Sequence, residues 1–497
     1  MFTELISAKL VAPYFGTSLY VWASVLGITL GSLALGYYSG GFLSNKVKSK
    51  MLLYWVLLAA GCFVSLMPFS SAWIMKHTIN MSIQAGVTVS IITFLFPPLV
   101  LFGMMSPIII NTLTKQVQDS GKISGLVYSV STVGGILFTY LTGFYILPIY
   151  GITFPAVIFG VGLFIVPFFV LIANNKFISF AFLIVIFIPF SQLKKNNEHV
   201  PGFKVLYENE GVFGQVKVLD HNFGTLTRGQ KYGRGLLVNN TCQTILDIEN
   251  PTYSLWDYAF FFPNAASIYP KGSDALILGL GGGTLLKQYN RLGFNTDVVE
   301  LDERIKEVSI DYFNVDPNAN IIIDDARHAL RTLEKKYDVI TFDLFLSETP
   351  PSHLLTLEAF QEVQSGLKPG GMLMINFFGF ISGDLGKASR SVYKTLIESG
   401  FNTNMCVTPS NNEMGRNLIF IASKADLDFT HTTYSEPHMY PITNLEEHFL
   451  NTNEMDFSED LILTDDIPVM EHLYAKAALE WRKASNITYA KRFIARL

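Results

Sequence analysis

The chain has 497 residues, 49% of them hydrophobic and 15% charged, a balance that excludes an ordinary soluble domain, a disordered chain and a basic nucleic-acid binder. Residues 1–192 hold 8 Lys and no Arg against 2 acidic residues, leaving 28 basic and 39 acidic residues beyond them, so the two parts carry +6 and −11. That asymmetry describes a membrane part joined to an acidic soluble part.

Met1 to Gly16 is amphiphilic, with Glu4 its one acid, and reads as the end of a helix whose beginning is absent. Six apolar stretches follow, at 17–42, 51–73, 83–111, 121–148, 153–173 and 177–191, and most reach the roughly 20 residues that a spanning helix needs. Lysines sit in or beside the gaps, and no basic start with a small-residue cleavage site marks a signal peptide. Ionisable residues inside a membrane mark transport pathways. They are almost absent here, so residues 1–192 are expected to anchor or gather substrate rather than to pump. Alternate gaps carry 6 Lys against 4, a weak positive-inside bias that literally places the soluble part outside. A re-entrant or interfacial segment at 177–191 would return it to the cytoplasm.

A polar linker at 193–202 leads into a β-rich segment at 203–272, where Gln215 to Val218 alternates, Gly224 and Gly229 punctuate, and Leu236 to Val238 is apolar. A strand–helix alternation at 273–425 predicts a Rossmann-like α/β domain, followed by a C-terminal extension at 426–497. Cys62, Cys242 and Cys406 are too widely spaced for a disulfide framework or a zinc site, and no metal is expected.

Within the α/β segment, Ala275 to Leu278 is a buried strand, Gly279-Leu280-Gly281-Gly282-Gly283 a turn and Thr284 to Leu292 a helix. The next strand, Asp297-Val298-Val299, ends in Glu300. Glycines in such a turn let a ligand approach the backbone, and an acid about 20 residues later can take a ribose diol. Ile321 to Ile323 runs into Asp324-Asp325, and Tyr337 to Phe342 into Asp343. Both place carboxylates at the strand edge where open α/β sheets bind ligands, Asp325 toward an adenine amino group and Asp343 toward the reacting atoms. Taken singly, either acid is equally a loop residue or a helix cap. There is no P-loop. A glycine turn without a basic residue, facing three acids, favours a cationic ligand such as a sulfonium nucleoside.

These residues resemble the spermidine synthase family of aminopropyltransferases across roughly 203–425. Val212-Phe213-Gly214-Gln215-Val216-Lys217-Val218 is similar to the family's first motif, and Leu237 to Gln243 to its second strand, ending in a donor-binding glutamine. The similarity continues through Gly279 to Gly283, Val299 to Asp302, Asp324-Asp325, Tyr337 to Asp343, Leu354 to Phe360 and Leu367 to Gly371. The membrane part resembles that of fused major-facilitator/spermidine synthase proteins, through Ala12 to Trp22 and Gly31 to Gly41. The tail Leu463 to Pro468 resembles a segment of the same fusions.

The resemblance implies transfer of an aminopropyl group from decarboxylated S-adenosylmethionine to a diamine such as putrescine. Asp343 is then the catalytic proton acceptor. Gln215, Gln243, Gly279, Gly281, Gly283, Glu300 and Asp325 hold the donor, and Tyr253, Glu348, Asp465 and Asp466 are candidates for the acceptor. Three positions depart from the pattern. Gly282 stands where the family has an aspartate, Leu346 where it has a second one, and Tyr253-Ser254-Leu255 keeps only the tyrosine of Tyr-His-Glu. Lacking a carboxylate at 282, the pocket also suits undecarboxylated S-adenosylmethionine, so a methyltransferase is one alternative and a non-catalytic polyamine transporter or sensor another. The expected partners are a small diamine and the lipid bilayer, with no nucleic acid and with homo-oligomers left open. The expected location is a bacterial inner membrane with the soluble part in the cytoplasm, because S-adenosyl donors are made there.

Overall fold

A computed structural model describes the whole chain except residues 17, 48–49, 80, 115, 194–202, 223–231, 251–252, 345–349, 409–415, 436–441, 468 and 486–497. It divides into two compact units, one carrying the apolar helices and one built on Val216–Ser485.

The first unit contains α1 (Phe2–Phe15), α2 (Leu19–Lys46), α3 (Met51–Thr78), α4 (Ile83–Phe94), α5 (Phe96–Leu113), α6 (Ser120–Leu141), α7 (Leu147–Tyr150), α8 (Thr153–Ala173) and α9 (Ala181–Leu193). Five helical segments among the described residues are long and apolar enough to cross a membrane: Leu19–Lys46, Met51–Thr78, Phe96–Leu113, Val117–Tyr150 and Thr153–Ala173. The stretch expected as one span at 83–111 is instead two helices broken at Leu95, where Pro97 and Pro98 remove backbone donors and begin a new helix. The last stretch forms only a short apolar helix.

Glycines sit where helices approach closely. A Cβ placed on Gly40 of α2 would stand 2.7 Å from the Cα of Met104 on α5, and one on Gly61 of α3 would stand 2.7 Å from the carbonyl of Gly160 on α8. Backbones approach this closely where no side chain intervenes, and the close contact gains dispersion energy along both helices.

A four-stranded sheet follows in the order β1 (Phe203–Gly211), β2 (Gly214–Asn222), β3 (Tyr232–Val238) and β4 (Thr241–Asp247), all in the second unit except Asn209–Gln215. Leu237 to Gln243, expected as one strand ending in glutamine, instead spans the end of β3, a turn and the start of β4. Asn239 and Asn240 both take positive φ, 49° and 61°, and form the two-residue hairpin turn that Asn favours. Gln243 therefore lies inside β4. Because Leu236 pairs with Thr244 and Leu237 with Cys242, Gln243 is the extra residue of a β-bulge, a device that re-aims a side chain.

After the short helix α10 (Phe261–Ala266), the chain alternates through β5 (Asp274–Leu278), α11 (Thr284–Leu292), β6 (Asn295–Glu300), α12 (Glu303–Phe313), β7 (Asn320–Ile323), α13 (Ala326–Thr332), β8 (Tyr337–Phe342), α14 (Leu357–Gly366), β9 (Leu367–Gly379), α15 (Lys387–Glu398), β10 (Asn402–Val407) and β11 (Arg416–Ser423). These strands form one sheet in the order β10-β11-β9-β8-β5-β6-β7. Strands β5 to β9 are parallel, while β11 runs antiparallel to β9 and β10.

Alternation along each strand sends side chains to two cores. Ala275, Ile277, Met372, Met374, Ile419 and Ile421 face α11 and α12. Leu276, Leu278, Leu373, Ile375, Leu418 and Phe420 face α13, α14, α15 and a last helix, α16 (Met470–Ser485). The C-terminal extension thus belongs to the core: Tyr474 of α16 is fully buried and donates its hydroxyl to the Phe378 carbonyl at 2.7 Å.

Candidate active site

Chain order 5-6-7 runs to one side of β5 and 8-9 to the other, so the strand order reverses between β5 and β8. Open α/β sheets bind ligands in the crevice at such a point, outside the carboxyl ends of the strands. Gly279 and Asp343 flank it, and the Asp343 N–H bonds the Leu278 carbonyl at 2.9 Å.

The glycine turn is tied on three sides. The Gly279 N–H donates to the Val299 carbonyl at 2.8 Å, the Leu280 N–H to Glu300 Oε2 at 3.0 Å, and the Gly282 N–H to Thr244 Oγ1 at 2.9 Å. Glu300 also accepts from the Asp302 N–H at 3.0 Å through Oε1. Each carboxylate oxygen thus meets a backbone donor, and the Leu301 N–H is a third on the group. Desolvation holds the Glu300 carboxyl above its ordinary value, against the pull of those backbone N–H groups.

Thr244, next to the bulged Gln243, explains why residue 282 has no side chain. A Cβ there would lie 2.7 Å from the Thr244 methyl and 3.0 Å from the Phe313 ring. The methyl of one strand occupies the space that a carboxylate on the turn would need.

Asp343 sits among neutral hydrogen-bond donors. Asn376 Nδ2 donates to its Oδ1 at 2.7 Å, and the Tyr258 hydroxyl stands 3.5 Å from its Oδ2. The residue keeps partial contact with solvent. Even so, desolvation pushes its carboxyl up to about 6, outweighing the lowering by Asn376 and Tyr258. A carboxylate with an affinity near neutrality can take a proton during a reaction and release it afterwards.

Sequence reading missed Tyr258 and Asn376, although a lone asparagine in the apolar run Met372 to Phe378 is a visible signal. Tyr253, the tyrosine read as an acceptor residue, has the Arg291 guanidinium 5.2 Å from its ring centroid.

The remaining candidates separate. Gln215 is half-buried near the start of β2 and Gln243 half-buried on β4. Gly281 and Gly283 take φ of +52° and +69° in the turn. Asp325 follows β7, but its Oδ1 caps α13 by accepting from the Arg327 and His328 N–H groups, both at 3.0 Å, leaving Oδ2 3.5 Å from His353 Nε2. Asp466 is exposed. Glu348 and Leu346 lie outside the described residues. Among those described, no group of three or more His, Cys, Asp or Glu has metal-binding geometry.

Asp465, read as an acceptor residue, is held in an ion pair. Arg327, buried at the start of α13, donates Nη1 and Nη2 to the two oxygens of Asp465 at 2.6 and 2.7 Å, and Nε and Nη2 to Glu362 at 3.0 and 2.9 Å. Thr356 Oγ1 donates to Asp465 Oδ1 at 2.7 Å. The tail is thereby strapped to α13 and to the start of α14. Arg327→Ala would leave two carboxylates facing each other, and the expected loss is about 2–3 kcal/mol, the acids being partly exposed. Urea unfolding measures it. Arg327→Lys should recover only part, because an ammonium cannot fork to both acids.

Residues 264–379 match the spermine/spermidine synthase domain. A probable polyamine aminopropyl transferase of Bifidobacterium longum is 29% identical over 286 residues, 54% of this chain and 61% of that protein. An N-terminal histidine N-methyltransferase of Emericella nidulans is 29% identical over 196 residues, 36% of this chain and 35% of that protein. Among solved structures, a probable spermidine synthase from Corynebacterium glutamicum aligns with a TM-score of 0.38 at 19% identity, covering 48% of this chain and 84% of that one. The chain spans less than two thirds of the length of the curated relatives it matches. The strand order and the match over 264–379 give the second unit a spermidine synthase-like class I S-adenosylmethionine-dependent transferase fold with a mixed sheet.

Proposed function

We propose that this chain is a polyamine aminopropyltransferase that moves the aminopropyl group of decarboxylated S-adenosylmethionine onto a diamine such as putrescine. The observation that carries the reading is Asp343, a carboxylate of raised proton affinity across the switch point from the glycine turn and Glu300. Gln215, Gln243, Glu300 and Asp325 would hold the nucleoside above Gly279 to Gly283.

A carbon beside a sulfonium is already electrophilic, so the enzyme must supply a neutral amine aligned for in-line attack. As the new C–N bond forms, the C–S bond breaks and its electron pair leaves on sulfur as a neutral thioether, methylthioadenosine. The nitrogen's extra proton passes to Asp343, and solvent later removes it. Purified protein given decarboxylated S-adenosylmethionine and putrescine should yield spermidine and methylthioadenosine by mass spectrometry. A methylated product without methylthioadenosine would overturn the reading.

Methyl transfer from intact S-adenosylmethionine is the second reading, favoured by the Thr244 methyl filling the space beside Gly282. With no acid there, a methionine carboxylate meets no repulsion and a bare ammonium finds no partner. Offering both donors in one assay separates the two.

The same proposal takes the first unit as a bilayer anchor akin to the membrane part of the fused major-facilitator proteins, supported by its five long apolar helices. It places the second unit in the cytoplasm of a bacterium, where its donor is made. A reporter joined after Leu497 should be active on the cytoplasmic side, and activity on the outer side would refute that placement.

A further inference from the structure

A line of carboxamides crosses the sheet to the reacting edge. Asn417 on β11 donates Nδ2 to Asn376 Oδ1 at 2.8 Å, and Asn376 on β9 donates Nδ2 to Asp343 Oδ1 at 2.7 Å. Asn376 is 4% exposed, so neither end of its amide is free to turn to bulk water.

A carboxamide has a donor end and an acceptor end that exchange on a half-turn of the terminal torsion. Toward a carboxylate only the donor end is favourable. The Asn417 N–H already occupies Asn376 Oδ1, and this removes the reversed orientation.

We propose that Asn417 and Asn376 are positioning residues that set which oxygen of Asp343 takes the proton: the Asn376 amide holds Oδ1, leaving Oδ2, on the Tyr258 side, to receive it. The inference rests on Asp343 being the proton acceptor of the proposed transfer. It adds how the carboxylate is aimed and how its affinity is tuned.

The surroundings give the relay its leverage. Among the described residues, the titratable groups near Asp343 are Tyr258, from the turn before α10, and Tyr289 of α11, whose hydroxyl is shared with Thr341 at 2.7 Å; Cys242 of β4 adjoins Tyr258. Burial raises all three above their ordinary values, so all are neutral near pH 7. With neutral neighbours, a single amide donor is a large part of what stabilises the anion.

The test is the pH profile of kcat/KM in the full chain. Asn417→Ser keeps a hydroxyl that can donate and should leave the acid limb within about 0.3 pH unit of the parent. Asn417→Ala frees the Asn376 amide and should move the limb alkaline by about 0.5–1 unit. Asn417→Asp can only accept, so Asn376 should turn its donor end away from Asp343, moving the limb further and lowering activity at pH 7 about tenfold. Methylthioadenosine affinity should change less than about twofold in all three, because no nucleoside contact is altered.

Equal acid limbs in Ser, Ala and Asp variants that remain folded would overturn the relay, as would losses of kcat that follow thermal stability without a pH shift. Failure of the underlying reading looks different. In that case Asp343→Asn itself would retain activity, whereas a failed relay leaves Asp343→Asn inactive.

Discussion

Asp343→Asn is expected to lower the rate of transfer about a thousandfold, because it removes the proton acceptor while keeping the size of the side chain. Methylthioadenosine affinity, measured by calorimetry, should stay within about threefold, since the nucleoside is assigned to Glu300 and the glycine turn. Unchanged turnover would remove Asp343 from the catalytic role.

The same substitution makes a second, opposite forecast for stability. Burial raises the Asp343 carboxyl to about 6, from roughly 3.9 in an unfolded chain. The folded state therefore holds this proton more tightly than the unfolded one. Its contribution to stability is complete below about pH 4 and is lost as pH rises through about 6. Asp343→Asn should accordingly stabilise the protein by about 1–2 kcal/mol at pH 8, allowing for partial exposure, and not at pH 4. Activity of the parent chain should fall on the acid side with a midpoint near 6, where Asp343 gains its proton.

Gly279→Ala is expected to weaken methylthioadenosine binding about a hundredfold and to depress turnover as well. The residue takes φ +96°, and a Cβ there would stand 3.0 Å from both the carbonyl carbon of Asp343 and a Leu344 methyl, with the Asp343 carbonyl oxygen closer still. One methyl group thus disturbs the nucleoside turn and the reacting carboxylate together. Gly272→Ala is the control, because Gly272 takes φ +88° with nothing within 4 Å of a Cβ. It should bear only the backbone strain, about 1 kcal/mol, with binding unchanged. Equal effects on binding at both positions would mean that the close approach at Gly279 has no functional consequence.

Much of this site can be read along the chain because its parts are local. A glycine turn needs only neighbours in sequence to take positive φ, and an apolar strand running into Glu300 or Asp343 puts the acid at a strand edge wherever that strand sits. The hairpin at Asn239-Asn240 was equally local, and Asn in the left-handed region is its ordinary signal. The resemblance to a continuous strand obscured that turn. Tyr258, Thr244 and Asn417 carry no such signal. They reach the site from 85, 38 and 41 residues away from Asp343, Gly282 and Asn376 respectively, brought there by strand pairing for Thr244 and Asn417 and by core packing for Tyr258.

Composition and local pattern alone determined that an apolar helical part precedes an acidic α/β part, that a glycine turn opens the α/β part, and that carboxylates end its strands. Burial preference and turn chemistry act over a few residues, so a linear chain displays them. The tertiary structure decided which polar groups meet. It put Tyr258 beside Asp343, gave Asp465 to Arg327, and set Thr244 in the space beside Gly282. Those pairings depend on strand order and register, which are fixed by the packing of two cores against one sheet and not by any segment by itself.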